Sequence, residues 1–327
     1  MKKEKRIQLD VKPAAKRIAM LCLAVLLAAS LLTSCRSSGV KVKTDDKGFY
    51  DYNGYIIKSE YPMDEQSLDK AGEKLRKIYE LYLKDQDVKT YFAIVPDKNA
   101  WAFEAEGQNV INYSELYARM QADTENFASY IELDDLLDME SYYKTDAHWR
   151  QEKIYPVAQR IAEAMGCELT AEYDKAVAND SFIGAYGRQS DLAMEPEELI
   201  YLTNEALDGC IVTDYASADE RNVTTGVYTI AKAASADGEG YDMFLGGAKS
   251  LLTIENPAST TDKELIIFRD SFGSSIAPFF TECYRKVTLV DTRYLPSERV
   301  GKFVDFDRQD ILFLYSVPVL NNSVMLK

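Results

Sequence analysis

The stretch Leu265-Ile266-Ile267-Phe268-Arg269-Asp270-Ser271-Phe272-Gly273-Ser274-Ser275-Ile276-Ala277 decides the fold, because it predicts a buried strand, a sharp turn and the start of a helix. Open α/β sheets place reactive groups in this way, at the carboxyl ends of their strands. Ser271 lies at the turn, where free backbone N–H groups at the helix start would stabilise an oxyanion. The stretch therefore predicts a serine nucleophile.

Other segments predict a parallel sheet around this strand. Apolar runs at residues 88–95, 287–290 and 311–315 indicate further buried strands, and a polar, helix-compatible segment separates the last two. Helical spacing of apolar residues predicts helices over residues 64–83, 113–130 and 152–165, the last of them ending at Gly166. Asn53-Gly54 predicts a β-hairpin turn. The less regular residues 179–256 indicate short strands and loops inserted in the main fold.

The first 35 residues are typical of an export signal. A basic segment precedes an apolar run that ends in Leu32-Thr33-Ser34-Cys35, and this end looks like a bacterial lipobox. The lipobox implies that Cys35 becomes the lipid-modified first residue of the mature protein. A transmembrane anchor is the alternative, but the run is short for a span, which needs about 20 residues. We expect a tether over residues 36–48 and one body over residues 49–327.

Charge and composition narrow the function further. The whole chain has a formal net charge of −15, and removing the seven Lys/Arg and two Asp/Glu of residues 1–35 gives −15 − (7 − 2) = −20. An acidic surface disfavours nucleic acid as a partner. Beyond Cys35 the chain has only Cys167, Cys210 and Cys283, which allow at most one disulfide. Because the chain has one histidine, we predict no metal site.

That histidine, His148, is the candidate base for Ser271, because a serine hydroxyl needs a base to act as a nucleophile near neutral pH. Asp146 lies two residues before it, so the carboxylate can reach one ring nitrogen while the other faces Ser271. We assign Ser271 as nucleophile, His148 as general base and acid, and Asp146 as the residue that orients the imidazole. The alternatives are that Asp270 and Ser271 cap a helix and that His148 is structural.

The sequence around these residues resembles the DHHW family of bacterial envelope proteins, which are SGNH-hydrolase-like and related to the alginate O-acetyltransferases. The segment Tyr142-Tyr143-Lys144-Thr145-Asp146-Ala147-His148-Trp149 is similar to the motif that names the family. Further segments resemble landmarks of the family in the same order: Asn53-Gly54-Tyr55-Ile56, Val95-Pro96-Asp97-Lys98, Phe182-Ile183-Gly184, Tyr241-Asp242-Met243-Phe244-Leu245-Gly246-Gly247, Asp270-Ser271-Phe272 and Val290-Asp291-Thr292-Arg293-Tyr294. The resemblance implies a three-layer α/β/α fold, and it carries the three catalytic roles onto Asp146, His148 and Ser271.

Two positions depart from the family pattern. Ala147 replaces the first histidine of the motif, which leaves the aspartate and the second histidine that the triad requires. Gly273-Ser274-Ser275 stands where the family often has an asparagine that could donate to the oxyanion. We therefore expect the oxyanion donors to be backbone N–H groups at Ser271 and just beyond it, with the Ser274 hydroxyl as an additional donor. Arg293 is a weaker candidate for binding an acyl or sugar oxygen, and a structural ion pair is its alternative role.

These features predict a lipid-anchored, extracytoplasmic O-acyltransferase. It would move an acetyl or similar small acyl group onto a hydroxyl of an envelope or extracellular glycan through an acyl-Ser271 intermediate, and it would need no cofactor. The resemblance also implies a membrane partner that exports the acyl group. Two alternatives remain open: an esterase that uses water as the acceptor, and a non-catalytic glycan-binding or assembly lipoprotein of the same fold.

Overall fold

The structure, a computed structural model, describes residues 40–102, 105–106, 109–215, 220–234 and 239–327. Lys41–Lys327 form one compact unit, and only Val40 of the other unit, Met1–Val40, is described. The predicted signal and lipobox, and residues 36–39 of the predicted tether, lie outside the described residues, so these assignments stay predictions. Among the described residues, no helix is both long enough and apolar enough to cross a membrane.

The strands and helices of the described residues are as follows. The strands are β1 (Val40–Lys41), β2 (Phe49–Tyr52), β3 (Tyr55–Lys58), β4 (Lys89–Val95), β5 (Ala105–Glu106), β6 (Ser129–Ile131), β7 (Asp174–Phe182), β8 (Glu197–Thr203), β9 (Ile211–Asp214), β10 (Asn222–Thr225), β11 (Leu251–Glu255), β12 (Glu264–Arg269), β13 (Lys286–Val290) and β14 (Asp310–Ser316). The α-helices are α1 (Glu65–Ile78), α2 (Tyr113–Thr124), α3 (Tyr155–Ala164), α4 (Ala185–Gln189), α5 (Glu205–Asp208), α6 (Gly273–Ile276) and α7 (Val317–Leu320).

A mostly parallel sheet of eight described strands forms the centre of the compact unit, in the order β10-β9-β11-β13-β12-β14-β4-β6. The five strands from β13 to β6 are mutually parallel, and β9, β10 and β11 extend the sheet in antiparallel fashion. β12, which leads to Ser271, therefore has the parallel neighbours β13 and β14. The predicted α/β class with a mostly parallel sheet is confirmed.

Both faces of the sheet are covered by apolar side chains from helices, because the central strands are apolar on both sides. From β12, Ile266 and Phe268 face the core that contains Leu68 and Leu75 of α1. The alternate residues Leu265 and Ile267 face the second core, which contains Val157 and Ile161 of α3. The result is the three-layer α/β/α arrangement that the family resemblance implies.

Local predictions hold where the chain contains a strong local signal. The Asn53-Gly54 hairpin joins β2 to β3, and both turn residues have the positive φ, 53° and 85°, that such a turn requires. Gly166 has a φ of 78° and lies directly after Met165, the C-cap of α3, so the helix ends at this glycine as predicted.

Two predicted helical segments differ in the structure. The helix predicted over residues 113–130 ends at Thr124, because Ser129–Ile131 pairs with β4 as an edge strand of the sheet. The connection between β13 and β14 contains a 3₁₀ turn over Ser297–Lys302 instead of an α-helix.

Residues 179–256 contain two structural parts. β7 and β8 pair in a separate two-stranded ribbon, and β9, β10 and β11 join the main sheet. The description of this segment as an insertion stays a prediction.

One disulfide joins Cys167 to Cys283, while Cys210 is free and buried. The bridge follows α3 at one end and precedes β13 at the other, so it joins segments that are 116 residues apart in the chain. In the chain-entropy model a loop of this size stabilises a protein by about 4–5 kcal/mol.

Candidate active site

Ser271 lies at the carboxyl end of β12, in the tight turn that leads into α6. The turn requires Gly273, because a Cβ atom at this position would come within 2.8 Å of the Arg269 Cβ. Asp270, which is fully buried, holds the turn: its carboxylate accepts hydrogen bonds from the N–H of Phe272 at 3.0 Å and of Ser316 at 2.7 Å. The serine is therefore fixed at the edge of the sheet where open α/β folds place their sites.

The loop of residues 142–149 brings the other two triad residues to this edge. An antiparallel bridge between Tyr142 and Trp149 closes the loop, and the Trp149 indole N–H donates to the Ser275 Oγ at 2.8 Å. Ser275 belongs to α6, directly after the turn of Ser271. The loop is thus attached to the helix that follows the nucleophile.

The three residues predicted as a triad form one continuous hydrogen-bonded chain. The His148 Nε2 lies 2.7 Å from the Ser271 Oγ, and the His148 Nδ1 lies 2.6 Å from the Asp146 Oδ1. The His148 side chain is 16% exposed and the Asp146 side chain only 2%. The imidazole is therefore accessible to a substrate, while the carboxylate is shielded from solvent. This geometry suits proton transfer from the serine hydroxyl to the imidazole.

Asp146 is held in its ionised form. The Oδ1 also accepts from the His148 backbone N–H at 3.0 Å, and the Oδ2 accepts from the Ala185 N–H at 2.8 Å. Burial acts to raise the pKa of Asp146, but the charge and hydrogen bonds of His148 and the two backbone donors outweigh it and lower the pKa to about 2. The carboxylate is therefore charged at neutral pH and can stabilise an imidazolium.

Gly184 permits this packing of Asp146. A Cβ atom at position 184 would overlap the Cβ and Oδ2 atoms of Asp146, which approach the glycine closely as its neighbour Ala185 donates to the carboxylate. The backbone of the Phe182-Ile183-Gly184 segment thus forms one wall of the carboxylate site.

We expect Gly184→Ala to lower turnover of an activated ester by about 100-fold, because displacing the carboxylate by about 1 Å misaligns the imidazole. Gly209→Ala is the matched control, since its Cβ would meet the Glu205 carbonyl oxygen at 3.3 Å, outside the site. The measurement is the initial rate of p-nitrophenyl acetate hydrolysis by folded protein. Equal rates for the two variants would contradict this role of Gly184.

Aromatic rings fix the plane of the imidazole. The Tyr241 ring stacks on the His148 ring with the centroids 3.8 Å apart and the planes 4° apart, and Phe272 packs beside it at 4.9 Å. The Tyr241 hydroxyl donates to the Ser275 Oγ at 2.7 Å, so this ring is itself anchored to α6. The stack limits rotation of the imidazole away from Ser271.

The backbone donors near Ser271 are mostly engaged. Beyond the serine, the N–H of Phe272 donates to the Asp270 carboxylate, and those of Gly273 and Ser274 donate to backbone carbonyl oxygens at 3.2 and 3.1 Å. The Ser271 N–H makes no hydrogen bond to another described residue. Ser274 is buried, one turn after the nucleophile. The Ser271 N–H is thus the leading backbone candidate for an oxyanion donor, and the role of the Ser274 hydroxyl stays a prediction.

Arg293 lies at the same edge of the sheet but is engaged by a carboxylate. Its Nε and Nη2 donate to the Asp291 oxygens at 2.9 and 2.7 Å, and the buried Arg269 lies 3.6 Å from the same carboxylate. Burial lowers the pKa of Arg269. Burial also acts to lower the pKa of Arg293, but the hydrogen bonds to Asp291 outweigh this effect and raise the pKa. The structural ion pair considered above for Arg293 is therefore present, and substrate binding by this residue stays a prediction.

Four residues that contact the triad or its loop were not predicted from the sequence: Gly184, Tyr241, Lys98 and Glu197. The first three lie in segments that were quoted only as family landmarks. Lys98 lies three residues after the buried strand β4, where a lysine is usually exposed, yet it is only 2% exposed. No local signal indicates the partner of such a residue.

The described residues contain no group of three or more His, Cys, Asp or Glu side chains arranged to hold a metal ion.

Known structures share this fold. A DHHW family protein from Eubacterium siraeum is similar with a TM-score of 0.67 and 17% identity, over 86% of this chain and 94% of that chain. PatB1 of Bacillus cereus is similar with a TM-score of 0.64 and 20% identity, over 85% of this chain and 96% of that chain. Its structure with a sulfonyl adduct has a TM-score of 0.65 and 19% identity, over 87% and 97% of the two chains.

No protein-family model matches the chain, and no curated protein matches it in sequence. The similarity to the DHHW family protein from Eubacterium siraeum confirms the predicted resemblance at the level of the fold.

Proposed function

We propose that this chain is a serine-dependent O-acyltransferase that moves an acetyl or similar small acyl group onto a hydroxyl of an envelope or extracellular polysaccharide. The observation that carries the proposal is the chain of hydrogen bonds from Asp146 through His148 to Ser271, at 2.6 and 2.7 Å. This chain lies at the carboxyl edge of the sheet and supplies a nucleophile, a base and an orienting carboxylate.

The proposed reaction has two steps, acylation of Ser271 and transfer of the acyl group to a sugar hydroxyl. The Ser271 Oγ attacks the carbonyl carbon of an acyl donor while its proton passes to the His148 Nε2, and the leaving group takes that proton as the donor bond breaks. A sugar hydroxyl then gives its proton to His148 and attacks the ester carbon. The Ser271 oxygen leaves and regains the proton from the imidazolium. Asp146 stabilises the imidazolium in both steps.

Two further observations support a covalent intermediate. The fold is similar to that of PatB1, a structure of which carries a sulfonyl adduct. Sulfonyl reagents react with activated nucleophiles, and Ser271 is positioned here as one. The His148 Nε2 lies in hydrogen-bond contact with the Ser271 Oγ while the ring stacks on Tyr241, so the base is held next to the nucleophile.

We also propose an extracytoplasmic location, with the protein held to a bacterial membrane by lipid on Cys35. The lipobox-like sequence supports this location, and so does the disulfide between Cys167 and Cys283, since such bridges persist in oxidising compartments. A membrane protein that exports the acyl group would supply the donor. Replacing Cys35 by alanine should release the protein from the membrane fraction of cells, and unchanged membrane association would contradict lipidation there.

The test of the reaction is an intact mass of residues 36–327 after mixing with p-nitrophenyl acetate. An acetyl adduct on the wild type that is absent from Ser271→Ala is expected. When a polysaccharide acceptor is added to the acetylated protein, transfer of the acetyl group to the polysaccharide should be faster than hydrolysis of the acetyl-Ser271 ester. Release to water alone would indicate an esterase. Identical ester turnover by the wild type and Ser271→Ala, with no adduct, would rule out acyl-Ser271 chemistry.

A further inference from the structure

We propose that Lys98 and Glu197 form a clamp on the backbone of residues 143–146, and that this clamp positions Asp146 against His148. Both are positioning residues, because their hydrogen bonds go to the loop that carries Asp146 and His148 and not to Ser271. The inference deepens the proposed function and rests on it wherever acylation of Ser271 is the readout.

The positive half of the clamp is the buried side chain of Lys98, which lies just after β4. Its ammonium group donates to the carbonyl oxygens of Asp146 at 2.8 Å, Tyr143 at 3.0 Å and Lys144 at 3.4 Å. The Tyr186 ring lies beside it, with the Nζ 5.2 Å from the ring centroid. Three carbonyl groups from four consecutive residues thus point at one cation.

The negative half is the carboxylate of Glu197, at the start of β8. Its two oxygens accept from the Lys144 N–H at 3.0 Å, the Thr145 N–H at 2.8 Å and the Thr145 hydroxyl at 2.9 Å. The cation therefore binds carbonyl groups of the loop, and the anion binds its N–H groups.

Other backbone bonds complete the restraint. The Thr145 carbonyl oxygen accepts from the Gly187 N–H, and the Lys144 carbonyl oxygen accepts from the Ile56 N–H, both at 2.8 Å. Each carbonyl group from Tyr143 to Asp146 therefore has a donor, and the backbone cannot rotate there without losing hydrogen bonds. Fixing the backbone of Asp146 fixes the direction in which its side chain leaves the loop.

The cost of burial indicates that the charge of Lys98 has a use. A buried ammonium group is expensive unless it is paired or hydrogen-bonded. Burial lowers the pKa of Lys98, whereas the negative charges of Asp146 and Glu197 and the three carbonyl acceptors favour the charged form. Converging carbonyl groups need a cation or several donors, and methionine would supply neither.

The first test compares Lys98→Met with the wild type in acylation of Ser271 by p-nitrophenyl acetate. We expect the maximal rate to fall by about 10–100-fold, because a displacement of about 1 Å in catalytic geometry has effects of this size. Tyr284→Phe is the control, since it removes a partly buried hydrogen bond of 2.7 Å to Asp310 at the opposite edge of the sheet. A folded Lys98→Met variant that keeps the wild-type rate would overturn the proposal.

The second test is a double-mutant cycle with Asp146→Asn. If Lys98 acts through the carboxylate, Lys98→Met should cost less than about 3-fold once the carboxylate is absent. Two effects that multiply fully would show that Lys98 acts independently of Asp146, which contradicts the clamp. Glu197→Gln, a milder change at a partly exposed residue, goes through the same cycle and decides the matter if Lys98→Met does not fold.

A readout that does not depend on activity separates this proposal from the proposed function. His148 is the only histidine of the chain, so the proton shared by its Nδ1 and Asp146 gives one assignable downfield NMR signal. The signal should shift or broaden in Lys98→Met and Glu197→Gln and stay unchanged in Tyr284→Phe. An unchanged signal in both clamp variants would overturn the clamp. A wild type with this signal but no acylation would count against the proposed function alone.

Discussion

Turnover of p-nitrophenyl acetate should fall by about 10⁴–10⁶-fold when His148 is replaced by alanine, as it does when the histidine of a serine protease triad is removed. The physical reason is the 2.7 Å contact of the His148 Nε2 with the Ser271 Oγ, for which the chain has no substitute imidazole. Steady-state hydrolysis at neutral pH measures the effect.

The double variant Ser271→Ala/His148→Ala should be no slower than either single variant, because the two residues act as one unit. Asn256→Ala serves as the control, since it removes a buried amide that donates to the Thr281 carbonyl oxygen at 3.0 Å beyond the opposite edge of the sheet. If His148→Ala hydrolyses the ester as fast as Asn256→Ala does, His148 is not the base.

Replacing Asp146 by asparagine should lower turnover by about 10⁴-fold while the protein stays folded. An asparagine side chain is almost the same size, but its amide presents a donor as well as an acceptor and carries no charge to stabilise the imidazolium. The loss should appear in kcat more than in KM, because the Asp146 carboxylate is buried and acts through His148. Kinetics over a range of ester concentrations separate the two.

Glu282→Gln is the matched control for Asp146→Asn. Its carboxylate also accepts several hydrogen bonds, from the N–H groups of Thr170 and Ala171 at 2.9 Å and the Tyr173 hydroxyl at 2.7 Å, but it lies just before β13 at the opposite edge of the sheet. We expect Glu282→Gln to keep kcat while losing some stability. An equal loss of kcat in both variants would indicate general destabilisation.

Much of the fold was predictable because its signals are local. The strand before Ser271 and the hairpin at Asn53-Gly54 follow from apolar runs and turn residues within a few positions of each other. The end of α2 was not predictable in this way. Residues 113–130 favour a helix locally, but pairing of Ser129–Ile131 with β4 determines the conformation, and the pairing is a tertiary contact.

The triad was predictable because the chain has one histidine with an aspartate two residues before it. The residues that hold the triad in place were not predictable, because they come from distant parts of the sequence. Lys98 contacts Asp146 across 48 residues, and the backbone of Ala185 reaches the same carboxylate across 39. Gly184 is conspicuous only once the carboxylate is known to pack against it. Sequence patterns identify the reacting groups better than the groups that hold them in place.

The position of β14 makes the last strand of the chain the link between two parts of the site. β4, which leads to Lys98, and β12, which leads to Ser271, are not neighbours, because β14 lies between them and pairs with both. β14 is also the last strand of the sheet in the chain, so residues 40–309 alone lack the strand that joins the two halves of the sheet. We therefore expect a chain that ends before Asp310 to leave Lys98 and Ser271 on halves of the sheet that are not paired with each other.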